Sequence, residues 1–196
     1  MDFSIMEKNS IYSGLMSHVD TFWPSEKKEV FSWEKGGIKS ILPDFRVLRI
    51  SPGKQGEPWV YLTLGAWEVD NNLPFRQEFL IISPYESPRH IETLAMLSSY
   101  YSGTANLSTG SCVNIGREWL EGATCTHLLI SLPYPYGPEL ENYNSSQISV
   151  KYRWLLPIHS SEKDFLDKYG LEELEKRFDK NEMDYLDPLR ASVVIE

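Results

Sequence analysis

Two stretches, Thr126 to Leu132 and Ile148 to Ile158, run almost without charge, and short apolar runs of that kind read as strands buried inside a sheet. Four further extended segments lie upstream: Val30 to Trp33, Phe45 to Ile50, Trp59 to Val69 and Phe75 to Ile82. They are rich in β-branched and aromatic residues and are separated by turn signals at Gly36-Gly37, Pro52-Gly53 and Asp70-Asn71-Asn72. Consecutive strands with short links favour antiparallel pairing.

Helical spacing appears between and around these runs. Ile11, Leu15 and Val19 share one face of an N-terminal helix that cannot pass Pro24. Pro88 opens a second helix, with Ile91, Leu94, Ala95, Leu97 and Tyr101 on its apolar face and Gly103 at its end. Ser161-x-x-Asp164 resembles a capping box ahead of Phe165, Leu166 and Tyr169; beyond Gly170, Leu171, Leu174 and Phe178 form another amphipathic stripe. The polar stretch from Thr104 to Cys125 reads as a functional loop or a distorted strand around Ser111 to Ile115, and Ser192 to Ile195 reads as an edge strand. The fold class expected is α+β: a single domain with a mixed, mostly antiparallel sheet and helices packed on one side. Residues 1–28 form an N-terminal helical segment and residues 29–196 the body of one globular unit.

Charge limits the partners. The 196 residues carry 19 Lys and Arg against 28 Asp and Glu, net -9, the reverse of a nucleic-acid or anionic-membrane footprint. No apolar run approaches the roughly 20 residues that span a bilayer, and the N-terminus shows no signal-peptide pattern, so a cytoplasmic location is expected. Cys112 and Cys125 are the only cysteines, too few for a four-ligand zinc site; in that compartment buried free thiols are expected, with a bridge between them as the alternative.

Catalytic and cofactor motifs are missing. His18, His90, His127 and His159 are scattered without metal-ligand spacing, and no nucleophile elbow, P-loop or dinucleotide fingerprint occurs. No catalytic residue, metal or cofactor is therefore assigned. The rival reading is a small-molecule hydrolase in which Ser111 or Cys112 is the nucleophile, His127 the base and the glutamates assist. Glu139 and Glu141 alternate along what reads as an extended stretch and would point the same way.

An internal echo points elsewhere. Phe79-Leu80-Ile81-Ile82-Ser83-Pro84-Tyr85-Glu86 is rhymed by Leu128-Leu129-Ile130-Ser131-Leu132-Pro133-Tyr134-Pro135-Tyr136, each an apolar strand emptying into a Pro/Tyr turn. If the strands are neighbours, the turns make one rigid aromatic patch. The same region, residues 70–145, has 3 basic and 8 acidic residues, and no lysine occurs between Lys54 and Lys151. Interfaces are enriched in Tyr and Trp and depleted in Lys. The candidate partner-binding residues are Tyr85, Glu86, Ser111, Trp119, Tyr134, Tyr136, Glu139 and Glu141. Residues 160–196, with 6 basic and 11 acidic residues, would attract a basic partner or simply form the wet face of helices.

The order of these motifs resembles a known family. Phe79 to Pro84, Leu94-Ala95, His127 to Glu141, Trp154-Leu155-Leu156-Pro157-Ile158 and Asp187-Pro188-Leu189-Arg190-Ala191-Ser192-Val193-Val194 look like a bacterial suppressor-of-fused domain, over about residues 29 to 194. The resemblance implies a noncatalytic α+β protein-binding domain. The animal relative sequesters a Gli-type transcription factor by adding a peptide as a strand, clamped against a second domain. Many bacterial members resemble immunity proteins that neutralise toxins. The 196 residues hold no second domain, and Ser111 stands where the animal domain carries an acid for its peptide. The resemblance thus implies an immunity protein binding a cognate toxin more than the animal clamp.

Overall fold

The sheet is built by a meander that is then closed by a distant strand. Strands β1 (Lys28–Ser32), β2 (Arg46–Ile50), β3 (Trp59–Leu64) and β4 (Arg76–Ser83) pair antiparallel in chain order. The long strand β8 (Ser149–Ile158) then adds parallel to β4, with Arg76 opposite Val150 and Leu80 opposite Trp154. β6 (His127–Ser131) runs antiparallel to the second half of β8, and β5 (Cys112–Asn114) forms the far edge. The short β7 (Asn142–Asn144) pairs with the first half of β8. The order is β1-β2-β3-β4-β8-β6-β5, a mixed, mostly antiparallel sheet in one α+β domain. This computed structural model describes residues 3–70, 73–104 and 107–194.

Period-two alternation sends apolar side chains to both faces. Leu48, Leu62, Leu80, Trp154 and Leu156 point to one core, and Val47, Tyr61, Phe79, Ile81 and Leu155 to the other. Helices α1 (Ile5–Phe22), α4 (Gly137–Glu141), α5 (Ser160–Tyr169) and α6 (Leu171–Lys180) cover the first. Helices α2 (Gly37–Ile41) and α3 (Arg89–Thr104), with the 107–125 loop, cover the second. The helices are thus not confined to one side. Strands with apolar residues on both faces need both faces covered, and the near-continuous runs of β4, β6 and β8 are such strands.

Local chemistry moves several boundaries. Ser4 caps α1, its Oγ accepting from the Glu7 N–H at 3.3 Å while the Glu7 carboxylate accepts from the Ser4 N–H at 2.8 Å. The expected strand Trp59 to Val69 stops at Leu64. Gly65, at φ 121°, swings the chain into a 3₁₀ turn (Ala66–Glu68), and a side chain there would meet the Tyr12 hydroxyl at 2.7 Å. Buried Glu78 holds that turn, accepting from the Gly65 N–H at 2.7 Å, the Trp67 N–H at 3.4 Å and the Thr63 hydroxyl. Gly36-Gly37 opens α2 rather than a simple turn. The cap of α5 sits two residues earlier than expected: Glu162, not Asp164, accepts from the His159 N–H, at 2.9 Å. Ser192 to Val194 form no strand; Ile195, like Asn71 and Asn72 of the expected turn, lies outside the described residues.

Candidate functional site

On the face covered by α1, α5 and α6, β6 ends at Ser131 and the chain enters the turn Leu132-Pro133-Tyr134-Pro135-Tyr136. That turn is rigid: two prolines fix φ, and the Tyr136 and Gly137 N–H groups both donate to the Pro133 carbonyl, at 2.9 and 3.0 Å. It holds Tyr134 outward, 58% exposed, with its hydroxyl donating to Glu175 Oε1 of α6 at 3.0 Å. Between this turn and α6 opens a cleft of about 610 Å³. Trp154 and Leu156 of β8 belong to its walls, and Phe178, Met183 and Tyr185 close it from the C-terminal side. The Trp154 and Tyr185 rings meet edge-on at 5.0 Å and 85°.

The cleft is acidic as well as aromatic. Glu175, Asp179 and Glu182 line it, with no Lys, Arg or His among the lining residues. Among the described residues none of the three is in an ion pair, whereas Lys176 on the same helix is held by Glu172 at 2.9 Å and Glu173 at 2.7 Å. Burial, then the Glu175 carboxylate, pushes the Tyr134 hydroxyl up to about 12, so it stays a neutral donor. Glu182 has φ 48°, the left-handed region, and is the single non-glycine there among the described residues. It occupies the position after the cap of α6 where glycine is usual. Its N–H donates to the Asp179 carbonyl at 3.1 Å, and the next N–H, of Met183, to the Phe178 carbonyl at 3.0 Å.

The sequence candidates scatter. Of the eight, Tyr134 alone lines this cleft. Tyr136 is half-buried against Trp23, ring centroids 4.9 Å apart. Glu139 and Glu141 lie on the short helix α4, not on an extended stretch, because Pro138 and the preceding Gly137, at φ 75°, start a helical turn. Glu139 is exposed, while Glu141 is tied to Arg153 at 2.8 Å and Lys151 at 3.7 Å. Tyr85, 48% exposed, and Glu86, paired with Arg49, follow β4 at the other end of the sheet. β8 lies between β4 and β6, parallel to one and antiparallel to the other, so the two rhyming strands empty at opposite ends and their turns make no joint patch. Trp119 is only 3% exposed and stacks on His90 at 5.5 Å, which makes it part of the core.

Residues 43–191 match the model of the Suppressor of fused protein (SUFU) family. The chain belongs to the suppressor-of-fused family. A protein of Neisseria gonorrhoeae FA 1090 described as a SUFU homologue superposes with TM-score 0.85 and 45% identity, over 94% of this chain and 97% of that one. A chain of the Sufu–Fu complex matches at TM-score 0.68 and 13% identity, covering 93% of this chain and 91% of its own length. Drosophila Suppressor of Fused matches at 0.68 and 12%, over 91% of this chain and 50% of that one. These last two show the shared fold. No curated protein matches this chain.

In this suppressor-of-fused domain Ser111 and His127, nucleophile and base of the rival reading, do not meet. Ser111 sits opposite Ile130, and His127 opposite Asn114, three residues along the β5–β6 ladder, roughly 10 Å at a rise of 3.3 Å per residue. Ser111 Oγ lies 3.2 Å from Ser108 Oγ, and His127 Nδ1 3.0 Å from Thr126 Oγ1. The other histidines also have structural partners: His18 Nε2 lies 3.1 Å from the Leu140 carbonyl, His90 Nε2 3.0 Å from Ser83 Oγ and His159 Nε2 2.9 Å from the Arg190 carbonyl. Burial, helped by Arg117, depresses His90 to about 3. Cys112 packs on one face of the sheet and Cys125 on the other, so no bridge joins them. Burial pushes the two thiols up to about 12 and about 11, away from nucleophilic thiolates. Among the described residues no three His, Cys, Asp or Glu gather as a metal site, and no helix is long and apolar enough to cross a membrane.

Sequence reasoning missed Trp154, Glu175, Asp179, Glu182 and Tyr185. The net acidity of residues 160–196 was the one signal for Glu175, Asp179 and Glu182, and its alternative reading as a wet helix face conceals three carboxylates that line a cavity; Trp154 and Tyr185 carried no such signal.

Proposed function

We propose that this suppressor-of-fused domain is a noncatalytic protein-binding module that acts in the cytoplasm as an immunity protein, neutralising a cognate toxin by direct binding. The observation that carries the reading is the cleft beside Tyr134: a concave, aromatic, carboxylate-lined surface without a lining cation. Concave sites with aromatic anchors are where binding energy concentrates. Family membership supports a binding role, since one structural relative is a chain of the Sufu–Fu complex. The unmet Ser111–His127 pair and the raised Cys112 thiol argue against the hydrolase reading.

Of the sequence candidates, Tyr134 is the proposed contact at this surface. Glu139, exposed on α4 after the same turn, is a contact at its margin. Tyr85 and Glu86 would serve a separate surface at the opposite end of the sheet. The test is co-expression with each candidate toxin domain encoded by the neighbouring genes, read as growth rescue and as a purified complex by calorimetry. Rescue with complex formation is expected. A toxin that is neutralised without binding this chain, or that binds it without loss of toxicity, overturns the immunity reading.

A further inference from the structure

We infer that the cleft between the Tyr134 turn and α6 seats an arginine-bearing peptide segment of the protein partner, with the guanidinium among Glu175, Asp179 and Glu182. This rests on the binding-module reading and deepens it by naming the chemistry of the bound group. Charge complementarity selects a cation: three unpaired carboxylates line the cleft, no cation lines it, and one of them, Glu175, already has the Tyr134 hydroxyl fixing its orientation at 3.0 Å. The walls select a flat cation with an apolar stem. Trp154, Tyr185 and Tyr134 offer ring faces and edges, and a planar guanidinium stacks on rings while forking to carboxylates, which a compact, strongly hydrated ammonium does less well.

A second, independent observation concerns Trp154. Three indoles, of Trp67, Trp119 and Trp154, bury an Nε1 that has no hydrogen-bond acceptor among the described residues, and of the three Trp154 alone lines the cleft, its Nε1 lying beneath the cleft surface. Buried donors without acceptors are uncommon and call for a partner. A main-chain carbonyl entering beside an arginine side chain would supply one, after a small outward movement of the lining. The volume of about 610 Å³ lies within the range of about 300–1,000 Å³ usual for small-ligand pockets. It admits an arginine together with its flanking backbone.

The test titrates the whole protein with three short peptides that differ at one position: acetyl-Gly-Arg-Gly-amide, its lysine analogue and its citrulline analogue, which keeps the shape and loses the charge. The Trp154 indole N–H resonance, assigned through Trp154→Phe, is the readout. We expect the arginine peptide to shift it, the lysine peptide to bind more weakly, and the citrulline peptide to leave it unmoved. The triple variant Glu175→Gln, Asp179→Asn, Glu182→Gln, with Asp179 and Glu182 exposed and Glu175 half-buried, should fold normally by circular dichroism and lose the arginine peptide about tenfold or more. Equal binding of citrulline, or shifts at other indoles with Trp154 silent, overturns the inference. The two readings fail separately. A silent Trp154 defeats this inference whatever the toxin does, whereas a shifted Trp154 in a chain that no protein partner binds defeats the module and leaves the arginine site standing.

Discussion

Arg190 grips Glu162 with two hydrogen bonds of 2.7 Å, Nη1 to Oε1 and Nη2 to Oε2, in a pair that is almost wholly buried. The same guanidinium donates to the Pro157 carbonyl at 3.0 Å, and the same carboxylate accepts from the Val193 N–H at 3.0 Å and the His159 N–H at 2.9 Å. One ion pair thus ties the end of β8, the start of α5 and the C-terminal tail together. The tail forms no strand, and this staple takes the place of a ladder.

Removing one partner would leave the other charged and buried. Arg190→Ala should therefore cost about 3–5 kcal/mol in urea unfolding, while Arg190→Lys, which keeps the charge but not the fork, should cost less. Burial raises the Glu162 carboxyl, but the Arg190 hydrogen bonds and charge outweigh it and hold the group below its usual 4.5. Its stabilising contribution is present above that value and lost as pH falls through the lower folded-state value. A tail that stays protected from proteolysis in Arg190→Ala would refute the staple.

Glu78 should titrate in the opposite sense. Complete burial raises it from 4.5 to about 7, against the Thr63, Gly65, Ala66 and Trp67 donors that favour the charged form. A raised acid stabilises the fold below its unfolded value and loses that contribution as pH rises through its folded value, here between 4.5 and about 7. The loss at full ionisation is on the order of 3 kcal/mol. Wild-type stability minus that of Glu78→Gln, measured across this window, should decline with pH; a difference that is level from pH 4 to 8 would reject a titrating Glu78.

Much of this architecture was legible in the chain. The meander from β1 to β4 follows from period-two runs joined by short turns, and α1 and α3 from their apolar stripes. What was not legible depends on partners far apart in sequence. Leu80 and Trp154 are opposed in the parallel β4–β8 ladder, and no local pattern tells that β8 inserts between the rhyming strands β4 and β6. That insertion separates Tyr85 from Tyr134 and undoes the joint patch. Glu141 looked like a free acid because its partners, Arg153 and Lys151, stand on β8 beyond a turn. Trp119 looked like a surface anchor because only packing tells a core indole from an interface one. The cleft itself draws on residues 131–135, 154–156 and 175–185, three segments that no single window contains.

Glu182 trades stability for a carboxylate at the cleft. A left-handed backbone costs an ordinary residue about 1–2 kcal/mol and costs glycine little. Glu182→Gly should raise stability by roughly 0.5–1 kcal/mol, about 2 °C in Tm for a chain of this size, and weaken the toxin complex in the same sample. A glycine variant that binds the toxin as tightly as wild type would remove Glu182 from the binding surface.

Tyr134 and Tyr85 make a paired test of which end of the sheet binds. Tyr134→Ala should leave folding unchanged, since the side chain is mostly exposed, and cost about 2 kcal/mol of toxin affinity, as anchoring aromatics do. Tyr85→Ala should cost little, and Ser111→Ala and His127→Ala should leave neutralisation intact. The reverse ranking of the two tyrosines in calorimetry would move the interface to the Tyr85 end.

Charge should set how fast the complex forms. Net charge is -9, and residues 160–196, which carry α6 and the three cleft acids, contribute 6 basic against 11 acidic residues, net -5. Against a basic toxin this field steers encounter, so the association rate should fall severalfold as salt screens charges beyond a Debye length of about 8 Å at physiological ionic strength. Dissociation should respond much less, because desolvated contacts on Trp154 and Tyr134 feel little screening. The triple carboxamide variant removes three of those acids and should flatten the salt dependence of association. Stopped-flow measurements at low and high salt compare the two proteins directly. An association rate that ignores salt, beside a dissociation rate that follows it, would mean that the acids grip the bound partner without steering its approach.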